Sequence, residues 1–257
     1  MIGGSSSVSA NLSSVYATTS NALNDALLKL ASGKKFQNAG EDLLGFVRTT
    51  ALSVDISGYQ QVKENLTEAK TYTAAALQAG SSIYEKLTEM KDLAVKYSSE
   101  TDNDRKANFK AEFDALVEEV KSIISNTRVD GTVVTATAEV KKVDLDPDGD
   151  GSLSITFTAI ADTDSLDVED SSTVDTQLTA ALTYLSEAKA FNNIIDQQIK
   201  LTDTIISSKQ AVMSLISDVD EAEQMNQVID LSIRQQATIS LLAQGNMIQS
   251  SLARLYD

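Results

Sequence analysis

The 257-residue sequence contains no histidine, no cysteine and no tryptophan, and Pro147 is its only proline. Without His or Cys, the usual zinc sites, imidazole-based catalytic triads and thiol chemistry are excluded. Paired carboxylates remain, but they fall on predicted helix exteriors or in a loop, without the signals of a catalytic pocket. The sequence therefore predicts a protein that is not an enzyme.

The chain is strongly acidic, with 37 Asp and Glu residues against 21 Lys and Arg and a net charge of −16. Such a chain repels a phosphate backbone, so we expect no nucleic-acid binding. The first residues have neither a basic n-region nor an apolar h-region, which argues against a cleaved signal peptide. No apolar run approaches the roughly 18 residues of a membrane span, so membrane insertion is not expected.

Apolar residues recur at alternating steps of three and four over most of the chain, which is the pattern of heptad-packed helices. Five segments show it and predict helices over about residues 16–30, 42–98, 109–123, 178–216 and 231–255. A polar cluster from Ser98 to Asp104 supplies N-cap candidates for the third of these helices. The two end segments are poor in charge and rich in small polar residues, so alone they would be marginal helices.

Residues 128–175 differ from the rest of the chain in their alternation and their content of β-branched residues. Segments 132–140 and 153–160 predict two strands, and the Asp-Pro-Asp-Gly-Asp-Gly sequence of residues 146–151 predicts the turn between them. The expected fold class is therefore mainly α. It is a long antiparallel helical bundle or coiled coil, with a small β-hairpin region inserted in mid-chain.

Heptad-spaced apolar residues at the two ends of the sequence predict that the ends pair as a coiled coil. The residues expected in this assembly core are Leu23, Leu27, Leu30, Leu241, Ile248, Leu252 and Leu255. The residues expected to pack the remaining long helices are Leu87, Met90, Leu93 and Val95. Segments 1–41 and 219–257 are accordingly expected to form one domain, and residues 42–218 another, which includes the 128–175 region.

Motifs along nearly the whole chain, except in the hairpin region, resemble those of bacterial flagellins. Residues 28–45, Leu-Lys-Leu-Ala-Ser-Gly-Lys-Lys-Phe-Gln-Asn-Ala-Gly-Glu-Asp-Leu-Leu-Gly, resemble the family pattern R-L-S-S-G-x-R-I-N-S-A-x-D-D-x-A-G. Residues 217–223, 234–238 and 241–246 resemble the C-terminal patterns I-x-D-A-D-x-A-x-E, L-Q-Q-A and L-A-Q-A-N. Residues 90–95 resemble R-E-L-A-V, and residues 126–131 resemble N-x-x-x-F-N-G. The motifs follow the family's order, which makes the resemblance specific.

The resemblance implies a short flagellin without large outer domains, a structural subunit that polymerises into the flagellar filament for swimming motility. Segments 1–41 and 219–257 would form the inner core, and residues 42–218 the outer helical layer, with the hairpin on the exterior. It implies an extracellular location after export, unfolded and without a cleaved signal peptide, through the type III apparatus. Implied partners are other copies of the chain, an export chaperone, the export apparatus, and the filament cap and hook–filament junction proteins.

Two alternative functions explain part of the same sequence. A hook–filament junction protein of the same family shares the terminal motifs, but usually departs more from the segments at 93–95 and 241–246. A soluble helical adaptor or scaffold would explain the heptads, but not the order of the motifs. Microscopy of the purified chain distinguishes a flagellin, which forms long filaments, from the adaptor, which stays monomeric.

The predicted turn also matches the first half of a calcium-binding loop, with Asp146, Asp148 and Asp150 as candidate ligands. The twelfth residue of that frame is Phe157, where a calcium loop needs a bidentate Glu. Pro, Asp and Gly are also the ordinary residues of a hairpin connection, which is the stronger explanation. No cofactor is expected apart from this calcium alternative.

Two further sets of positions follow from the resemblance. In flagellins recognised by the Toll-like receptor, the contact positions correspond here to Glu89, Leu93 and Glu112. Glu89 stands where those flagellins have Arg, which reverses the charge and predicts weak receptor activation. Flagellins often carry O-linked sugars on exposed residues, and the candidate acceptors here are Thr132, Thr135, Ser171 and Ser172.

Overall fold

The computed structural model describes the backbone of residues 3–129, 131–135, 141–160 and 163–256. Side chains are described for the same residues except 3–9, 249 and 252–256. Five α-helices in these residues are α1 (Gly3–Ser32), α2 (Leu43–Ser99), α3 (Asn103–Asn126), α4 (Ser171–Ser217) and α5 (Glu221–Tyr256). The prediction of a mainly α fold with very long helices is confirmed. The longest, α2, has 57 residues and is therefore ~85 Å long at ~1.5 Å per residue.

The polar cluster between α2 and α3 separates the two helices by capping the second. Asp102 lies at the N-cap of α3, and its carboxylate accepts the backbone N–H groups of Asp104 (2.9 Å) and Arg105 (3.3 Å). These two donors have no partner within the helix, so the carboxylate satisfies them. Sequence reasoning placed this cap correctly.

The 128–175 region contains two short antiparallel strand pairs instead of the single predicted hairpin. Strands β1 (Arg128–Val129) and β2 (Thr132–Val133) form one pair, and β3 (Lys141–Asp144) and β4 (Ser152–Ile155) form the other. The predicted first strand, 132–140, was therefore wrong over its described part, which is strand only at its first two residues. Residues 136–140 lie outside the described residues.

Turn geometry explains which segments pair in the second hairpin. Gly149 has a φ of +76°, and the carboxylate of Asp146 accepts the N–H groups of Asp150 (3.0 Å) and Gly151 (2.6 Å). This closed turn makes its immediate neighbours face each other, so Asp144 lies opposite Ser152.

The chain divides into two compact units, which we call the terminal unit (residues 1–54 and 209–257) and the central unit (residues 55–208). The predicted domains followed helix ends, whereas these units divide within α2 and α4.

The terminal unit has seven basic and nine acidic residues, a net charge of −2. The central unit has fourteen basic and twenty-eight acidic residues, a net charge of −14. Nearly all of the chain's negative charge thus belongs to the central unit.

The core of the central unit is a heptad seam on α2 with an aromatic group from the hairpin region. The buried seam residues of α2 include Leu66, Ala69, Ala76, Ile83, Leu87, Met90 and Ala94. Phe157 stacks on Tyr72 at a centroid distance of 5.8 Å and contacts Tyr184 (5.2 Å) and Phe191 (5.9 Å). The ring of Phe157 thereby joins the hairpin region to α2 and α4.

Two glycines on α2 allow close approach by other elements of the central unit. A Cβ at Gly58 would lie 2.6 Å from the Cβ of Pro147, the residue at the tip of the hairpin. A Cβ at Gly80 would lie 2.9 Å from Cδ1 of Tyr184 on α4. Glycine costs about 1 kcal/mol relative to alanine in a helix interior, so these contacts explain two residues that helix propensity disfavours.

Candidate assembly surface of the terminal unit

Helices α1 and α5 pack against each other through residues at alternating steps of three and four. On α1 the buried or half-buried residues at this spacing are Leu12, Tyr16, Thr19, Leu23, Ala26 and Leu30. On α5 they are Gln224, Val228, Leu231, Gln235, Thr238, Leu242 and Gly245. This is the spacing of a coiled-coil seam, as predicted for the two ends of the chain.

Small and polar residues occupy the most buried positions of this seam. Thr19, Ala26, Gln224 and Thr238 are all buried, and Nε2 of Gln224 donates a hydrogen bond to the carbonyl oxygen of Ala26 (3.3 Å). A buried amide fixes the register of two helices but adds less stability than a leucine in the same place. The most buried positions of the seam therefore favour a particular register, while the larger apolar residues of the seam are only half-buried.

The predicted seam residues are only partly those of the structure. Leu23 and Leu30 are half-buried in the seam, whereas Leu27, Leu241 and Ile248 are exposed. Their assignment to a seam within the chain was wrong. Ala26, which is buried, and Leu242, which is half-buried, occupy the seam positions next to Leu27 and Leu241. The side chains of Leu252 and Leu255 lie outside the described residues.

Two segments that resemble flagellin motifs, from opposite ends of the sequence, lie against each other where α1 and α4 end. The N–H of Lys35 donates to the carbonyl of Ser217 (2.7 Å), and the N–H of Val219 donates to the carbonyl of Gly33 (3.0 Å). This short antiparallel bridge joins the two connections that lead into α2 and α5. The chain's two ends are thus held together by backbone hydrogen bonds as well as by the seam.

Side chains of the same segments complete the helix ends. Gly33, with a φ of +68°, follows the last residue of α1, where a left-handed residue commonly ends a helix. Gln37 Nε2 donates to the carbonyl of Leu28 (3.4 Å), and Lys35 Nζ donates to the carbonyl of Leu215 (3.2 Å). A residue that follows α1 therefore satisfies a carbonyl at the end of α4.

Acidic residues cap the two helices that begin here. Asp42 accepts the N–H of Gly45 (2.9 Å) at the start of α2. Asp220 accepts the N–H groups of Ala222 (3.0 Å) and Glu223 (3.2 Å) at the start of α5. A carboxylate at this position also interacts favourably with the helix dipole. These caps account for one acidic residue in each family-like motif, Asp42 in the first and Asp220 in the second.

Asp218 is a carboxylate of this junction that accepts hydrogen bonds from two serine hydroxyls. The hydroxyls of Ser214 and Ser217 donate to it, the second at 2.8 Å, and these bonds lower its pKa. The positive charges of Lys34 and Lys35 act in the same direction. The charged form of Asp218 therefore contributes to the stability of the junction at neutral pH.

An open groove lies between the first turns of α2 and the last turns of α4, and we call it the terminal groove. Its volume is about 630 Å³. Its lining includes the apolar residues Phe36, Phe46, Val54 and Met213. Polar residues complete the lining, with Lys34 and Asp218 as its charged members.

Exposed apolar residues concentrate in the terminal unit. Among the described side chains, sixteen of twenty exposed large apolar residues belong to it, although it contains fewer than half of the residues. They are Val15, Leu27, Leu28, Leu43, Leu44, Val47, Val54, Val212, Leu215, Met225, Ile229, Ile233, Ile239, Leu241, Met247 and Ile248. Exposed apolar surface on this scale is typical of a protein that binds other proteins.

The outer-packing positions and the receptor positions lie on α2 and α3. Leu87, Met90 and Leu93 are buried, whereas Val95 is exposed, because Ala94 occupies the adjoining seam position. The assignment of Val95 to this packing was therefore wrong. Leu93 is buried in the isolated chain, so little of its side chain lies on the accessible surface. Glu89 and Glu112 are exposed.

The remaining candidate sites belong to the 128–175 region. Thr135 is 1% exposed and its hydroxyl donates to the carbonyl of Ile124 (2.6 Å), so its choice as an exposed glycosylation site was wrong. Thr132 is half-buried, and Ser171 and Ser172 are exposed. Among the described residues, no group of three or more acidic side chains is placed to hold a metal ion.

No helix in the described part of the chain combines the length and apolar character needed to cross a membrane.

Residues 5–136, which are more than half of the chain, match the family model for the bacterial flagellin N-terminal helical region. A flagellin of Halalkalibacterium halodurans is 29% identical over 245 residues, which cover 90% of each chain. Flagellin FljO of Caulobacter vibrioides is 23% identical, with coverage of 93% of this chain and 92% of the relative. The crystal structure of Bacillus cereus flagellin has a TM-score of 0.43 at 19% identity, and covers 57% of this chain and 88% of that one. With the family model matched over the first half and relatives aligned along nearly the whole length, the chain belongs to the bacterial flagellin family.

Proposed function

We propose that this flagellin polymerises through its terminal unit, whose exposed apolar side chains become buried between copies. The flagellins are structural proteins, and the chain is a structural subunit of the extracellular flagellar filament. The observation that carries the proposal is the concentration of sixteen exposed apolar residues in a unit with a net charge of only −2.

The low net charge and the exposed apolar surface of the terminal unit both favour association between copies. Full burial of a Leu or Ile side chain contributes ~1.5–3 kcal/mol, so many half-exposed residues together supply a large driving force for association. Net charge opposes the close packing of identical chains, and that opposition is weak for the terminal unit. The central unit has the opposite character, with four exposed large apolar residues and a net charge of −14.

We assign segments 1–41 and 219–257 to the inner core of the filament, and residues 42–218 to the outer layer. The acidic hairpin region would then face solvent, where negative charge resists nonspecific association. With Glu89 in place of Arg and Leu93 buried, weak activation of the flagellin receptor is expected.

Export and capping partners are proposed on family membership. The chain would pass unfolded through the flagellar type III apparatus, which family members use in place of a cleaved signal peptide. The absence of cysteine favours that route, since no disulfide can form before passage. An export chaperone would cover exposed apolar residues before assembly, and cap and hook–filament junction proteins would contact the ends of the filament.

Electron microscopy of the purified chain at increasing concentration tests the proposal. We expect long uniform filaments from the unmodified chain, and none from Leu241→Glu, which places a charge in the exposed apolar surface of α5. Thr156→Glu adds the same charge at an exposed polar position of the hairpin region and should still assemble. Persistent monomers of the unmodified chain would favour the adaptor alternative. Filaments from both variants would show that the exposed surface of α5 around Leu241 is not buried between copies.

A further inference from the structure

We infer that the terminal groove receives a ridge on α5 of another copy, formed by Met225, Ile229 and Ile233. The inference rests on the proposed polymerisation through the terminal unit, and it names two of the surfaces that meet there. All three ridge residues are exposed.

The dimensions of the groove and the ridge agree. The wall of the groove on α2 runs from Phe46 to Val54, and eight residues of helix rise ~12 Å. The ridge runs from Met225 to Ile233, which is the same number of residues and the same rise. Its residues are spaced four apart and therefore share one face of the helix, as in helices that bind apolar grooves.

Among the described residues, none of the chain's own α5 lines the groove. The described lining residues all lie within 34–54 and 210–218. On α5, the residues turned toward α1 are the seam positions, such as Gln224 and Val228, and the ridge lies beside them on the exposed side. The groove and the ridge are thus separate surfaces of one unit, and both are open to a second copy.

Charges beside the two surfaces are complementary. Lys34 lines the groove together with one acidic residue, Asp218, and Lys35 follows Lys34 in the chain. Both lysines are exposed, and two positive charges against one negative charge leave a net charge of +1 there. Glu221 and Glu223 are exposed in the first turn of α5, just before the ridge. Opposite charges at the rim of an apolar contact orient the partners and exclude wrong registers. They favour insertion of the ridge with the start of α5 toward the lysines.

The pairing of two different surfaces has a consequence for assembly. In a contact between groove and ridge, each copy offers its ridge to one neighbour and its groove to another. Such a heterologous contact extends into an open polymer or a ring, whereas a contact of one surface with itself ends at a dimer. A groove–ridge contact is therefore of the kind that a filament requires.

The absence of cysteine makes disulfide trapping a direct test. Met213→Cys in the groove and Ile229→Cys on the ridge are made as separate variants. They are mixed in equal amounts with an excess of unmodified chain, polymerised and oxidised. The matched control replaces Ile229→Cys by Gln227→Cys, an exposed polar position on another side of the same helix. Met213 is half-buried, so Thr50→Cys, at an exposed lining position, serves if Met213→Cys does not fold.

The mixed groove and ridge variants should give at least about tenfold more disulfide dimer than the control pair, because a disulfide needs Cα atoms within about 7 Å. Each variant oxidised without the other should give no dimer. Normal filaments without this dimer, or with equal dimer in the control, would overturn the groove–ridge contact and leave the proposed function standing. Failure of the unmodified chain to form filaments would overturn the proposed function itself.

Discussion

Substitution of two adjacent leucines of α5 by alanine should affect two different properties, polymerisation for one and stability of the monomer for the other. Leu241 is 51% exposed, whereas Leu242 is half-buried in the seam with α1. Truncation of Leu242 removes a contact that already exists within one chain. Truncation of Leu241 removes surface that, on our proposal, is buried only when copies assemble. The comparison separates folding of the terminal unit from polymerisation.

The magnitudes follow from burial. Full burial of a leucine side chain contributes ~1.5–3 kcal/mol, and about half of Leu241 remains to be buried, so Leu241→Ala should cost about 1 kcal/mol per added copy. A loss of about 1 kcal/mol raises the critical concentration about fivefold. A fully buried Leu→Ala change costs ~2–5 kcal/mol, so half-buried Leu242 should lose about 1–2 kcal/mol of monomer stability.

Critical concentration is measured by sedimentation of polymer, and the stability of the monomer by denaturant unfolding below that concentration. We expect Leu241→Ala to change the first measurement and leave the second within error, and Leu242→Ala to lower the stability of the monomer. An unchanged critical concentration for Leu241→Ala would refute the burial of this residue between copies. Equal monomer destabilisation by the two variants would refute the assigned phase of the seam.

Three further predictions concern other parts of the chain. Gly58→Ala should lower the midpoint of thermal unfolding, because the new methyl group would overlap Pro147, and overpacking of this kind costs ~1–3 kcal/mol; the double variant with Pro147→Gly should recover part of the loss, and a stability gain in the single variant would contradict the contact. The lowered pKa of Asp218 contributes stability that is present above the unfolded-chain pKa of about 3.9 and is lost as pH falls through the lower folded-state pKa. Asp218→Asn should therefore reduce the loss of unfolding free energy at acid pH. A variant whose stability falls with pH as steeply as that of the unmodified chain would show that Asp218 is not the source of this pH dependence. Added NaCl should lower the critical concentration, because salt screens repulsion between central units of net charge −14, and an unchanged value between low and physiological salt would show that these units do not repel one another in the polymer.

Helix positions were predictable from the sequence because heptad spacing is a local property that the chain repeats over many turns. The cap at Asp102 was predictable for the same reason, since an N-cap acts on residues two and three places away. The seam on α2 follows the same spacing over many turns, so most of its buried positions were predicted, although Val95 was chosen beside the buried Ala94. These features depend on residues that are close together in the sequence, so local patterns were enough to predict them.

The phase of the terminal helices was not predictable in the same way. Leu27 and Leu241 attract attention because they are large, yet Ala26 and Thr238 occupy buried seam positions. When a helix has apolar residues on several faces, the helix packed against it determines which face is buried. The contact of Lys35 with Leu215 depends likewise on chain segments that are remote in sequence, and no local signal indicates it.

The contact between Gly58 and Pro147 limits how freely the hairpin region can be exchanged between relatives. Neither residue is explained by its own element, because α2 would be stabilised by alanine at position 58 and many residues tolerate a turn position like 147. Each is suited to the shape of the other. A chimera that imports another flagellin's hairpin, or an epitope grafted at its tip, must therefore be matched at position 58 on a distant helix, so the insertion point alone does not define a transferable module.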